Sequence, residues 1–213
     1  MQRPLTWPVY DDEQIAAVTE VLRSGKVNAW TGPDVRAFED EFAAHNRSAH
    51  AIAMANGSLT LDAALRALDL QPGDEVIVSP RSFVVSASCV LLAGGRPVFA
   101  EVDRDSGNIT AETIAAQITP RTRGVIPVHL AGWPCDMPAI MDLAEQHGLW
   151  VIEDCAQSHG AQIGDRPLGG FGTLGSYSFC QDKIMSTGGE GGMIVTDDDA
   201  LYDRIWSFKD HGK

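Results

Sequence analysis

Lys183 follows the run Ser178-Phe179-Cys180-Gln181-Asp182 and precedes the glycine-rich stretch Gly188-Gly189-Glu190-Gly191-Gly192. A solvated lysine ordinarily sits among the charged residues of a helix or polar loop, and taken singly that surface reading has the higher prior. Held between an apolar strand and glycines, a lysine can instead lose hydration, drop its pKa and serve as a Schiff-base nucleophile. Asp154 is the second chemical group, a carboxylate just after the apolar run Leu149–Ile152. Buried there it needs a cation or hydrogen-bond donors, whereas at the surface it would simply cap a turn. Strand alternation turns its neighbour Glu153 to the opposite face, so only one of the two acids should enter a site. The third group is the small-residue turn Ala55-Asn56-Gly57-Ser58-Leu59 after His50–Met54. It opens a helix whose free N–H groups and dipole can hold a phosphate, or it is an ordinary strand-to-helix turn with Ser58 as N-cap.

An acid for a pyridinium, a phosphate turn at a helix start and an imine-forming lysine are the three parts of a pyridoxal phosphate site. Competing motifs fail on context. Gly170-Phe171-Gly172-Thr173-Leu174-Gly175 fits GxGxxG, yet it precedes a strand-like segment and opens no helix, so it reads as a turn-rich connection. No P-loop, nucleophile elbow or HExxH helix is present. Cys155 and His159 share a segment whose apolar surroundings favour satisfied core residues over metal ligands. The cysteines at 89, 135, 155 and 180 form no CxxC pair and read as free buried thiols.

The elements that must position these groups follow from periodicity. Strand-like runs at His50–Met54, Glu75–Val78, Pro97–Ala100, Gly124–Val128 and Leu149–Ile152 alternate with helical patterns at Leu59–Leu68, Phe83–Leu92, Ala111–Ile118 and Met137–His147. Thr110 and Asp136 are cap candidates for the last two helices. Two helices precede them, one capped by Asp11-Asp12 and stopped at Gly25, the other opened by Pro33 with Val35, Phe38, Phe42 and Ala43 on one face. Short strands at Ser176–Phe179 and Gly192–Val195 and a helix near Asp199–Phe208 end the chain. This rhythm predicts one α/β domain, a mostly parallel sheet with helices on both faces, binding ligands at the carboxyl ends of its strands.

Composition narrows the function classes. With 44% hydrophobic residues and 21% charged among 213, the chain can bury a large core. A formal charge of −13 argues against nucleic acid or anionic lipid as partners. Its longest apolar stretch, Ser82 to Gly95, is too short for a membrane span, and no secretory signal is visible, which makes the cytoplasm the default location.

From Trp7 to Lys213 the sequence closely resembles the fold-type I, PLP-dependent sugar aminotransferases of the DegT/StrS family. The resemblance is carried by SGKVNAWTG at Ser24–Gly32, the Asn56-Gly57-Ser58 turn and GDEVIV at Gly73–Val78. It continues through PVHLAGWPCDM at Pro127–Met137, VIEDCAQSHGA at Val151–Ala161 and SFCQDKIMSTGGEGGM at Ser178–Met193. Such a set in one order is far more specific than any single element, and it favours the chemical reading of all three sites. It implies that Lys183 carries the cofactor as an imine, Asp154 pairs with the pyridine nitrogen, and Gln157 lies by the ring near its hydroxyl. Gly57, Ser58 and Ser178 would hold the phosphate and Phe83 would stack on the ring. It further implies an aspartate aminotransferase-like large domain, a homodimer, glutamate or glutamine as amino donor, and a nucleotide-linked keto sugar as acceptor. Two departures stand out: Ser58 replaces the family's usual Thr, and the family's chains continue past Lys213 into a smaller C-terminal domain. Residues 1–213 are therefore expected to be a large domain that lacks that small domain, an incomplete catalyst that self-associates through Leu201, Ile205, Trp206 and Phe208. The alternatives are a non-catalytic PLP-fold binding or regulatory fragment, or a sugar dehydratase of the same scaffold; the latter has histidine where this chain has Lys183.

Overall fold

Side chains close to the backbone set most element boundaries. Asp11 and Gln14 form a reciprocal capping box that starts α1 (Asp12–Ser24), and Gly25 ends it with φ of 68°. Pro33 opens α2 (Asp34–Asn46), Thr110 caps α5 (Ala111–Ala115) and Asp136 caps α6 (Met137–His147). The computed structural model describes residues 7–213. Between and beyond these helices run β1 (His50–Met54), α3 (Gly57–Ala67), β2 (Glu75–Val78), α4 (Val85–Leu92), β3 (Arg96–Phe99), β4 (Thr122–Ile126) and β5 (Trp150–Asp154). The short β6 (Gln162–Ile163) and β7 (Arg166–Pro167) pair with each other, and β8 (Leu174–Ser178), β9 (Gly192–Thr196) and α7 (Asp199–Lys209) complete the chain.

Seven strands form one sheet in the order β1-β9-β8-β5-β4-β2-β3. β3, β2, β4, β5 and β8 pair in parallel, while β9 is antiparallel to both of its neighbours and is the one reversed strand. Side-chain alternation splits the core into two layers. Ile77, Val125, Val151 and Val195 pack with Phe42 of α2, Ile114 of α5 and Ile140 of α6. Ile52, Ile126, Ile152 and Ile194 pack with Leu65 of α3, Val90 of α4 and Ile205 of α7. The mostly parallel sheet with helices on both faces is thus as the alternation predicts.

Three local differences have physical causes. β4 ends at Ile126, before the expected Val128, because Pro127 has no N–H for the ladder; its carbonyl still accepts from Asp154 N at 2.9 Å. The cap of α3 is Asn56, whose Oδ1 accepts from Leu59 N at 2.9 Å, so Ser58 is not the N-cap. The apolar side chains at the end of the chain are largely covered: Leu201 and Ile205 are buried, and Trp206 lies under the Arg36 guanidinium at 3.9 Å. Of that expected patch only Phe208 is well exposed. In contrast α1 buries no residue, and its Ile15, Val18 and Leu22 face outward.

No helix of the described residues is long and apolar enough to cross a membrane. Cys89, Cys135 and Cys155 are buried free thiols and Cys180 is half-buried. Burial pushes the Cys89 and Cys135 thiols up to about 12, as inert core thiols require.

Candidate active site

A cavity of about 740 Å³ opens at the carboxyl ends of the central strands. Gly57, Ser58, Phe83, Asp154, Gln157, Ser178 and Lys183 all line it, although they come from four separate segments. The sheet brings them together, because each follows or ends a strand, or stands in the turn before α4, on the same side.

One wall is the start of α3 against the end of β8. A Cβ built on Gly57 would lie 2.5 Å from Ser178 Cβ and 3.0 Å from its Oγ, so only glycine lets the two segments approach this closely. Behind them Thr60 Oγ1 donates to Gly57 O at 2.6 Å. With Asn56 taking the cap, the Ser58 hydroxyl is left beside the first free N–H groups of the helix. The result is a cup of N–H and O–H donors suited to an anion.

Asp154 ends β5 and is only 6% exposed. Its Oδ2 accepts from Ser86 Oγ at 2.8 Å and its Oδ1 from Ala156 N at 3.2 Å. Burial pushes the carboxyl above the ordinary aspartate range, while the Ser86 hydrogen bond and the Lys183 charge pull it down. A buried acid so placed favours a cationic partner within the cavity. Lys183 stands on the loop after β8, half-buried, its amide anchored on Cys180 O at 2.9 Å. Gln157 turns its Oε1 to Ala131 N at 2.7 Å, bracing a turn in which Ala131 has φ of 53°, and its amide NH₂ remains available as a donor. Phe83, 69% exposed, forms a wall from the turn before α4.

Glu153 points away from the cavity, as strand alternation predicts, into a fully buried cluster. Its Oε1 accepts from Phe171 N and Gly172 N at 2.6 and 2.7 Å, and its Oε2 from Gly169 N at 2.9 Å and His129 Nε2 at 3.1 Å. His129 Nδ1 accepts from Cys135 N at 3.1 Å, which assigns the ring proton to Nε2. The GxGxxG-like stretch is therefore a nest of backbone donors for the protein's own carboxylate. Gly172 must be small there, since a Cβ would lie 2.7 Å from Val151 O. Glu153, His129 and Cys155 lie close enough to share an ion, but both nitrogens of His129 and both oxygens of Glu153 are already hydrogen-bonded to protein. Glu153→Ala would leave these donors buried and unpaired, and we expect a loss of about 3 to 5 kcal/mol, read from the urea midpoint. A loss below about 1 kcal/mol would show that the turn holds without the carboxylate.

Sequence reasoning missed Ser86, His129 and the capping role of Asn56. It also took His159 as satisfied, whereas neither ring nitrogen has a partner among the described residues. The ring packs between Tyr177 and Phe179, 5.6 Å from each, where burial lowers its pKa.

The sequence matches the DegT/DnrJ/EryC1/StrS aminotransferase family over residues 8–213. The chain belongs to that family. Within it, a UDP-N-acetyl-3-dehydro-alpha-D-glucosamine 3-aminotransferase of Acidithiobacillus ferrooxidans is 48% identical over 181 residues, 85% of this chain and 49% of the relative. Among solved structures, an aminotransferase from Psychrobacter cryohalolentis superposes with a TM-score of 0.97 at 56% identity, covering 98% of this chain and 53% of that one. NtdA from Bacillus subtilis, solved with bound cofactor PMP, superposes at 0.86 with 32% identity, covering 93% of this chain and 45% of that one. The chain spans about half the length of the family members it matches.

Proposed function

We propose that this chain is the cofactor-binding large domain of a PLP-dependent aminotransferase that moves an amino group from glutamate or glutamine to a nucleotide-linked keto sugar. The observation that carries the reading is one cavity holding Lys183, the buried Asp154 and the Gly57–Ser178 cup together. The likeness to sugar-nucleotide aminotransferases about twice as long supports a homodimeric cytoplasmic enzyme, with a smaller domain completing the substrate wall.

The residues present fit the cofactor. The cup offers donors and a close approach that a phosphate needs, and Asp154, raised by burial, suits a pyridinium. Bound there, pyridoxal phosphate supplies a carbonyl that takes the donor's nitrogen and a ring that accepts the electrons left at Cα. The protein's residues do the rest. Gly57, Ser58 and Ser178 hold the phosphate, and Asp154 keeps the ring nitrogen protonated. Phe83 would pack on the cofactor ring, and the Gln157 amide would be its donor near the ring hydroxyl. Lys183 Nζ would anchor the cofactor and, once freed as an amine beside the donor's Cα, would carry the proton from that carbon to the cofactor.

Borohydride reduction after incubation with pyridoxal phosphate tests the assignment. A pyridoxyl mass is expected on the Lys183 peptide, beside glutamate-dependent amination of a nucleotide-linked keto sugar. A label on Lys209 or Lys213 would overturn it.

A further inference from the structure

The hydrogen-bond partner of Asp154 on α4 is a residue that neither the family match nor the resemblance assigns. Ser86 is buried at 2% exposure in the first turn of α4, where a serine hydroxyl ordinarily serves its own helix. Its Oγ instead crosses to the sheet and donates to Asp154 Oδ2 at 2.8 Å. One turn back, Ser82 Oγ lies 2.6 Å from Ser86 Oγ, and both serines line the cavity. A serine has one proton to give. With that of Ser86 committed to Asp154, the contact between the serines must run from the Ser82 hydroxyl to Ser86 Oγ. The two hydroxyls thus form a one-way chain ending on the carboxylate. A proton carried on Asp154 Oδ2 would reverse it, since that oxygen would then donate to Ser86 Oγ.

We propose that Ser86, itself oriented by Ser82, is the positioning residue that holds the Asp154 carboxylate in place against the ring nitrogen of the bound cofactor. The proposal rests on the cofactor reading given above. Ser86 acts through Asp154: it carries no proton to substrate and touches no reacting atom. Its effect is geometric, since the carboxylate is pinned from α4 by Ser86 and from its own strand end by Ala156 N, leaving it little freedom to rotate away. It is also electrostatic, because a donor bonded to the charged form favours that form against the burial that opposes it. The other charged and titratable groups around Asp154 are Lys183 across the cavity and the His129–Glu153 pair behind it. The buried thiols Cys89, Cys135 and Cys155 also face it, and burial keeps all three protonated at neutral pH.

The test compares wild type with Ser86→Ala, Ser86→Thr and Ser82→Ala. In the cofactor-free protein, the ¹³Cγ signal of labelled aspartate that disappears in Asp154→Asn reports the titration of Asp154. Ser86→Ala should raise its midpoint by about one unit, Ser82→Ala by less, and Ser86→Thr should restore it, since a threonine supplies the same donor. In the holoenzyme, Ser86→Ala should lower kcat about tenfold with little change in KM for the donor, and the pH midpoint of the visible band should move. A merely structural serine would alter melting temperature without moving either midpoint. A wild type that takes up pyridoxal phosphate beside a Ser86→Ala variant with an unchanged Asp154 midpoint would overturn the role of Ser86 alone. A wild type that takes up none overturns the cofactor reading and the role proposed here with it.

Discussion

Lys183→Ala should lose amine transfer by at least about a thousandfold while still binding pyridoxal phosphate, because the phosphate and ring contacts do not involve the amine. The cup is built by the close approach of Gly57 and Ser178 and does not use the Lys183 side chain, so truncating Lys183 leaves its geometry intact. Equilibrium dialysis should find the cofactor retained with weakened affinity, and the visible band of a lysine adduct absent. An added small primary amine should recover part of the rate, since the missing group is a base that diffusion can replace. Retention of more than about a tenth of the wild-type rate would show that another residue moves the Cα proton.

Asp154→Asn is the second large effect, with turnover expected to fall about a hundred- to a thousandfold. The asparagine fits the same space and its Oδ1 can still accept from Ser86, yet its amide would donate to the ring nitrogen and favour the unprotonated ring. Affinity for the cofactor should change much less than kcat, since the phosphate cup is untouched. Stability supplies an internal control. The carboxyl pKa of Asp154 is raised by burial in the folded, cofactor-free protein, so its contribution favours folding at low pH and is lost as pH rises through the raised value. Removing the charge should therefore leave the melting temperature at neutral pH unchanged or higher. A variant with near-normal turnover would show that some other group holds the ring proton.

Most of the sheet was legible because its strands announce themselves locally. Glu75–Val78 and His50–Met54 are short, largely apolar runs bounded by turn residues, and both occur where the pattern puts them. That the seven expected residues line one cavity was legible for a different reason. Six of them lie in motifs and Phe83 follows closely on GDEVIV, and these segments share one end of a parallel sheet. What stayed hidden depends on contacts distant in sequence. Nothing near Ser86 indicates that it meets Asp154, 68 positions away, and nothing near Glu153 shows that the 169–172 turn folds around it. The outward face of α1 has the same lesson in reverse, for an amphipathic period specifies that a helix has an apolar side and leaves open what that side packs on.

The strand order has a consequence for biosynthesis. β1 is an edge strand whose one neighbour in the sheet is β9, and their pairing joins His50 to Thr196, about two-thirds of the chain apart. At about 5–20 residues per second, β1 and the Gly57 turn emerge from the ribosome well before Ser178 or β9 exists. Until β9 arrives, the first strand has no ladder to join, and the donors at the start of α3 have no opposing wall. The anion cup is consequently among the last features to assemble, and pyridoxal phosphate can select the finished domain but cannot template its early folding.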